Sequence, residues 1–236
     1  MKIKKYFLLG FILFLGFNNC FSQSSIYVQG MNFVGEFTVN SNSRNSIPFT
    51  KGSPYYNRDF MFGELELQNG GKLKGLFRYN IYNQEFEVIV KRDTLIISEP
   101  TKVKTIDFAN KSFVYSLIHE KKGNTSYLAG AYFETLNKGN CKLLIKRKIN
   151  LRENKYVDYY GGGGGDGSQR YIPEETYYIK LSDDKPAIKL KRKKDFVLEL
   201  FSDHKVEIEK FISENKIKLK KDQDFLKVIE YYNQLN

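Results

Sequence analysis

FGELELQNGGKLKGLFRYN (Phe62–Asn80), QEFEVIVKRDTLIIS (Gln84–Ser98) and TKVKTIDFANKSFVYSLI (Thr101–Ile118) alternate apolar and polar side chains in short runs, with turn residues between the runs. A period of two is that of half-buried β-strands. Leu65 and Leu67 fall on one face of the first run, and Glu64, Glu66 and Gln68 on the other. Asn69-Gly70-Gly71 follows, and Asn-Gly supplies the positive φ of a tight hairpin turn. Leu73 and Phe77 carry the return strand. Gly75 between them marks a bulge or a close backbone approach. Phe86, Val88 and Val90, then Leu95 and Ile97, then Ile106 and Phe108 keep the period, and Val103 falls out of step. Turns are expected at Asn83, Arg92-Asp93, Glu99-Pro100 and Ala109-Asn110-Lys111.

The pattern G-x-L-x-L-x-N-G-G-x-L-x-G over residues 63–75 resembles the opening hairpin of small Sm-like and SH3-like barrels. It implies a meander or small curved sheet and carries no catalytic residue.

Working towards the N-terminus, residues 23–61 hold apolar positions for one or two strands at Ile26, Val28, Met31, Phe33, Val34 and Phe37. Two polar or turn-rich loops follow, at Asn40–Ser46 and Lys51–Asn57. Tyr55, Tyr56 and Phe60 either line a groove or lid the sheet, and large aromatics mostly bury area. Residues 1–22 place Lys2, Lys4 and Lys5 before an apolar run of Tyr6 to Phe17, then polar Asn18 and Asn19, then small residues. This is the layout of a secretory signal, expected to be cleaved after Ser22. Its end, a small residue before Gln23, resembles the signals of secreted bacterial proteins. A lipidated Cys20 is the competing outcome. Lipoprotein signals place a small residue before that cysteine and Leu three before it, where this chain has Asn19 and Phe17. After signal removal no stretch reaches the roughly 20 apolar residues of a spanning helix.

Towards the C-terminus, SFVYSLIHE and SYLAGAYFETL read as a hairpin about Lys121–Asn124, and CKLLIKRKINL as the next strand. Cys141 alternates with Leu143 and Ile145, the place of a small buried hydrophobe. With Cys20 removed in the signal it has no disulfide partner. Residues 153–176 break the pattern, with the glycine run Gly161–Gly167 among them and Glu174-Glu175 read as a solvated turn. Gly161-Gly162-x-Gly164-x-Asp166 fits the start of a calcium-binding nonapeptide repeat, but such repeats work by stacking, and Ser168 stands at the repeat's apolar position. The run lacks the Gly-Lys-Ser/Thr of a phosphate loop. A surface loop is expected. YYIKLSDDKPAIKL (177–190) reads as two short strands about Ser182–Lys185.

Past Lys194 the period changes to 3.6. Ile208, Phe211 and Ile212 share one face, and so do Phe225, Ile229 and Tyr232. Asp195 and Asp203 are candidate N-caps, and Asn215 is a helix end. An extended link is expected at Lys216–Lys221. The fold class is therefore mainly β (α+β), with a signal peptide over 1–22, a β-rich domain over 23–190 and a helical segment over 191–236. This tail resembles the C-terminal segments of uncharacterised secreted bacterial proteins with a β-rich body, which implies no activity.

The chain carries a formal charge of +11, and loses three lysines and no acid with residues 1–22, leaving +8. Basic, aromatic-rich surfaces suit nucleic acid, anionic glycans or lipid head groups, and export disfavours nucleic acid. The candidate contact residues are Tyr55 and Tyr56 and the run Lys191, Arg192, Lys193 and Lys194. The two histidines, His119 and His204, fall in no metal-binding spacing, and no G-x-S-x-G elbow is present. No catalytic, cofactor or metal residues are assigned. The expectation is an exported, non-enzymatic binding module of the bacterial cell envelope, periplasmic or extracellular. Its partner would be an envelope protein, an anionic glycan or a lipid head group. The alternative is a secreted hydrolase whose site is assembled from scattered residues, with His119 a candidate member.

Overall fold

The alternation in Phe62–Asn80 becomes a hairpin with one dry face: Leu65, Leu67, Leu73 and Phe77 are all buried. A computed structural model describes residues 24–25, 38–40, 50–90, 92–153 and 168–236. The proposed signal with Cys20, the apolar stretch 26–37 and the glycine run 161–167 lie outside the described residues.

The strands are β1 (Ser24–Ser25), β2 (Thr38–Asn40), β3 (Thr50–Lys51), β4 (Met61–Leu67), β5 (Lys72–Asn80), β6 (Glu85–Val90), β7 (Asp93–Ile97), β8 (Val103–Phe108), β9 (Lys111–Lys122), β10 (Thr125–Thr135), β11 (Lys142–Glu153), β12 (Gln169–Lys180) and β13 (Ile188–Lys189). They form one sheet in the order β1-β2-β7-β6-β5-β4-β8-β9-β10-β11-β12-β13, with β3 beside β12 off that path. The chain is thus mainly β. Pairing is antiparallel except where β3 runs parallel to β12. Two meanders, β4–β7 and β8–β13, meet where β8 pairs with β4. The sheet curls, so that Tyr132, Ile149 and Tyr171 of the second meander join Phe77, Tyr79 and Phe86 of the first in one core.

Several local expectations shift. Gly70 alone takes positive φ in the first hairpin, at +86°. Asn69 contributes its side chain, whose Oδ1 accepts from the Gly71 amide at 3.0 Å. The paired positive φ angles occur instead at Ala109 (+52°) and Asn110 (+58°), between Phe108 and Lys111. The close backbone approach is at Gly63 rather than Gly75: a Cβ on Gly63 would lie 2.5 Å from the Asp107 carbonyl, whereas one on Gly75 meets ordinary contacts. Val103 is out of step because the β4–β8 register shifts between Glu66 and Leu67. The extra residue re-aims Val103 into the core, where it is buried. The largest correction is β12, which begins at Gln169, inside a stretch read as irregular. Pro173 disguised it. Among the described residues, the outer side of β12 is paired at Gln169–Arg170 by β3 and at Tyr178–Ile179 by β13. Pro173 lies between those pairings, on an edge that tolerates a missing donor.

The helices are α1 (Lys194–Leu200), α2 (Lys205–Glu214) and α3 (Asp222–Leu235). Asn215 ends α2 as expected. Asp195 and Asp203 are not N-caps. Asp195 lies within the first turn of α1, and Asp203 lies in a short 3-10 turn, where it accepts from the Tyr232 hydroxyl at 2.7 Å. Asp224 instead reaches back from the first turn of α3 to the amides of Lys220 (2.9 Å) and Lys221 (3.2 Å). The apolar stripes of all three helices close over Leu143 and Ile179 of the sheet and over Cys141 just before β11. None of these helices is long and apolar enough to cross a membrane.

Candidate binding site

Residues Gly52–Tyr56 lead from β3 across the end of β5. The Tyr56 amide donates to the Tyr79 carbonyl (2.9 Å), and the Ile81 amide to the Pro54 carbonyl (2.8 Å). These bonds make the loop an extension of the sheet and fix both tyrosines. Successive side chains of an extended segment point to opposite sides, and the two rings part accordingly. Tyr55 goes to the outer face of the β5–β6 hairpin. There its ring centroid lies 4.0 Å from the Arg78 guanidinium, which Phe60 also covers at 4.2 Å. Arg78 is buried and donates its Nε to Glu87 at 2.9 Å. Tyr56 turns inward, edge-on to Phe113 with centroids 5.5 Å apart, and 5.3 Å from the Arg147 guanidinium. Tyr56 therefore does lid the core, and it also reaches a charge that the sequence reading passed over.

Arg147 lies on the core-facing side of β11, in phase with Leu143, Ile145 and Ile149. It pairs in register with Glu175 of β12. Its Nε and Nη2 both donate to Glu134 Oε2 (3.0 and 2.7 Å), and Lys111 Nζ meets Glu134 Oε1 at 2.9 Å. Burial raises the Glu134 pKa, but the bonds from Lys111 and Arg147 outweigh it and hold the carboxyl below its usual range. A carboxylate kept ionised in this way is a structural anion and a poor proton donor. Burial and the neighbouring Glu134 push the Tyr56 hydroxyl up. Behind them, Gln84 Nε2 donates to the Ile81 carbonyl (2.6 Å) and the Arg147 carbonyl (2.9 Å), and Gln84 Oε1 accepts from the Tyr79 hydroxyl at 3.1 Å. The β5–β6 turn is thereby clamped to β11.

Tyr56 and Arg147 border an open pocket of about 360 Å³. Its lining includes Tyr55, Tyr56 and Tyr171, with Ile81, Ile149 and Pro173. Arg147, Lys148, Glu174, Glu175 and Ser53 provide its polar edge. An apolar cleft with a few convergent polar groups is the usual form of a small-ligand site.

Of the residues singled out from the sequence, the structure brings Tyr55 and Tyr56 to this pocket. None of Lys191, Arg192, Lys193 and Lys194 lines it. Arg192 instead joins the sheet to the helices. It donates to the Lys220 carbonyl (2.7 Å) and to Asp222, and its guanidinium lies 5.3 Å from the Tyr177 ring and 5.4 Å from that of Phe225. Lys194 pairs with Glu209 at 2.7 Å. Lys191 and Lys193 are exposed. His119 is exposed near the end of β9, and Cys141 is a buried free thiol whose pKa burial pushes up to about 12. Among the described residues no cluster of His, Cys, Asp and Glu is arranged to hold a metal ion. Tyr171, Glu134 and Arg147 were missed, and Glu175, read as part of a solvated turn, lies instead on β12 opposite Arg147. The available signal was a charge standing at an apolar-phase position, Arg147 in LLIKRKINL and Glu134 two residues after Tyr132.

No family model, no curated protein and no solved structure matches this chain.

Proposed function

We propose that this protein is an exported, non-enzymatic binding module of the bacterial cell envelope that holds its ligand in the tyrosine-lined pocket. The observation that carries this reading is the rigid mounting of the pocket: Arg147 is fixed by Glu134 and Glu175, and the Tyr55–Tyr56 loop is hydrogen-bonded to β5. Groups held before the ligand arrives lose little freedom on binding, which favours affinity. The lysine- and hydrophobe-rich segment 1–22 supports export. The basic run is a weaker contact surface, because Arg192 and Lys194 are committed to the helices.

The experiment uses the mature chain immobilised on a support and exposed to envelope extract. A component retained by the parent and lost with Glu175→Gln supports the reading. Retention that survives Glu175→Gln but is lost when Lys191 and Lys193 are changed to Gln moves the site to the basic run. Intact-mass measurement of the envelope fraction tests export. Loss of residues 1–22 is expected, a diacylglycerol on Cys20 would make the protein a lipoprotein, and a mass retaining residues 1–22 would refute cleavage.

A further inference from the structure

The polar edge of the pocket constrains the chemistry of its ligand. Arg147 carries the charge expected of an anion site, yet it already faces the Glu134 and Glu175 carboxylates. Lys148 and Glu174 add one charge of each sign to the lining. An incoming anion would meet no net positive field.

A hydroxyl group is suited to the same edge. A guanidinium has five N–H donors, and the bonds to Glu134 and Glu175 account for three of them. The Glu175 side chain is 45% exposed, which leaves acceptor positions open to solvent. A donor and an acceptor held side by side are complementary to two neighbouring hydroxyls, one accepting from Arg147 and the other donating to Glu175. The walls add the second half of the requirement. Tyr56 and Tyr171 present ring surface, Pro173 and Ile81 present aliphatic surface, and the two tyrosines carry polar tips of their own. A volume of about 360 Å³ is near the lower end of the roughly 300–1,000 Å³ of small-ligand sites, so it admits a single ring-sized unit rather than a long chain.

The geometry points to a neutral saccharide as the ligand: one sugar ring held with its C–H face against the tyrosines and two adjacent hydroxyls on the Arg147–Glu175 pair. This rests on the binding-module reading above and narrows it, replacing the anionic glycan expected from net charge by an uncharged one. The +8 of the mature chain lies elsewhere on the surface.

The test is titration calorimetry of the mature protein with neutral tetrasaccharides of glucose, N-acetylglucosamine, mannose and galactose, and with a polyuronate and a sulfated glycan as anionic counterparts. The chain has no tryptophan, so tyrosine fluorescence gives a second readout. At least one neutral sugar should bind, with an affinity that does not change from low to high salt. Glu175→Gln, an exposed change that leaves the core intact, should weaken binding about tenfold by removing a charge-assisted acceptor. Lys218→Gln, on the link before α3, should not. Tyr171→Phe should retain the stacking and separate a ring contact from a hydroxyl contact. Binding of the anionic glycans alone, falling with salt, would overturn the inference. If no glycan binds but the extract component is still lost with Glu175→Gln, the binding-module reading stands and the saccharide falls. If neither is seen, both fall.

Discussion

The backbone of Cys141 exchanges two hydrogen bonds with the side-chain amide of Asn233: the Cys141 N–H donates to Oδ1 at 2.8 Å, and Nδ2 donates to the Cys141 carbonyl at 2.9 Å. This clasp joins the start of β11 to the last turn of α3. Asn137 bonds the same stretch from the β10–β11 turn, its Nδ2 to the Cys141 carbonyl (2.9 Å) and its Oδ1 to the Leu143 amide (2.7 Å). Asn233→Ala should leave a buried amide unpaired and cost about 1–3 kcal/mol. The Cys141 thiol reports the event. Buried and held protonated, it should react slowly with a thiol reagent in the parent and faster in the variant as the helical segment opens. Equal thiol reactivity in parent and variant would show that the clasp does not hold the segment down.

Tyr132 stands at the centre of the aromatic core, with ring centroids 4.8 Å from Phe86, 5.9 Å from Tyr79 and 5.3 Å from Tyr115. Its hydroxyl is buried with no hydrogen-bond partner among the described residues. A ring of this shape without the oxygen keeps the packing and removes an unpaid desolvation cost. Tyr132→Phe is therefore expected to stabilise by about 1 kcal/mol, which raises Tm by about 2–4 °C in a chain of this size. Thermal unfolding of the two proteins side by side decides it, and a lower Tm in the variant would mean that the hydroxyl has a partner.

The strands with one wet face were legible because alternation survives wherever one face is buried: Leu65, Leu67, Phe86 and Val88 all lie in the core as read. Val103 was not, since a register shift breaks the period locally. The N-terminal half of β12 was hidden by Pro173, whose ordinary exclusion from strands does not apply on an open edge. The switch to helix at Lys194 was legible from the 3.6 period, while the caps were not, because Asp224 caps from inside its helix and Asp203 serves Tyr232. Half of the candidate site was visible. Tyr55 and Tyr56 are adjacent in sequence, but Tyr171, Glu134, Arg147 and Glu175 come from three further strands, and only the curl of the sheet brings them there.

Glu134 should make the pocket sensitive to acid. Its side chain is 1% exposed, and its folded pKa lies below the usual value of 4.5. A carboxyl lowered on folding contributes its full stabilisation above the unfolded pKa and loses it as pH falls through the folded one. The loss should therefore begin below about pH 4.5. Glu134→Gln should remove that part of the pH dependence and cost about 2 kcal/mol at neutral pH, less than the roughly 3–5 kcal/mol of a fully buried pair because Lys111 remains half in water. Denaturant unfolding at several pH values measures both. An unchanged acid limb in the variant would show that other carboxylates set it.

Lys180 should act in the opposite direction, at alkaline pH. It is 5% exposed, and Nζ donates to two neutral acceptors, Ser116 Oγ at 3.1 Å and the Lys185 carbonyl at 2.7 Å. The nearby acids are engaged elsewhere, Asp183 with Lys142 at 2.8 Å and Asp184 with Ser182. Burial lowers the Lys180 pKa below its usual 10.5; Asp183 and Asp184 oppose this, and Lys142 reinforces it. Between the lowered folded pKa and 10.5 the unfolded chain binds more protons than the folded one, so stability rises with pH. At lower pH the protein carries the whole cost of a buried ammonium. Relative to Lys180→Met, which has the stem and no charge, the parent should gain stability as pH is raised towards 10. The comparison is confined to that side of pH 10, because the raised Tyr56 and Lys111 begin to work in the opposite sense above it. A difference between the two proteins that stays constant from pH 7 to 10 would place the folded pKa of Lys180 at or above the unfolded one and refute the effect of burial.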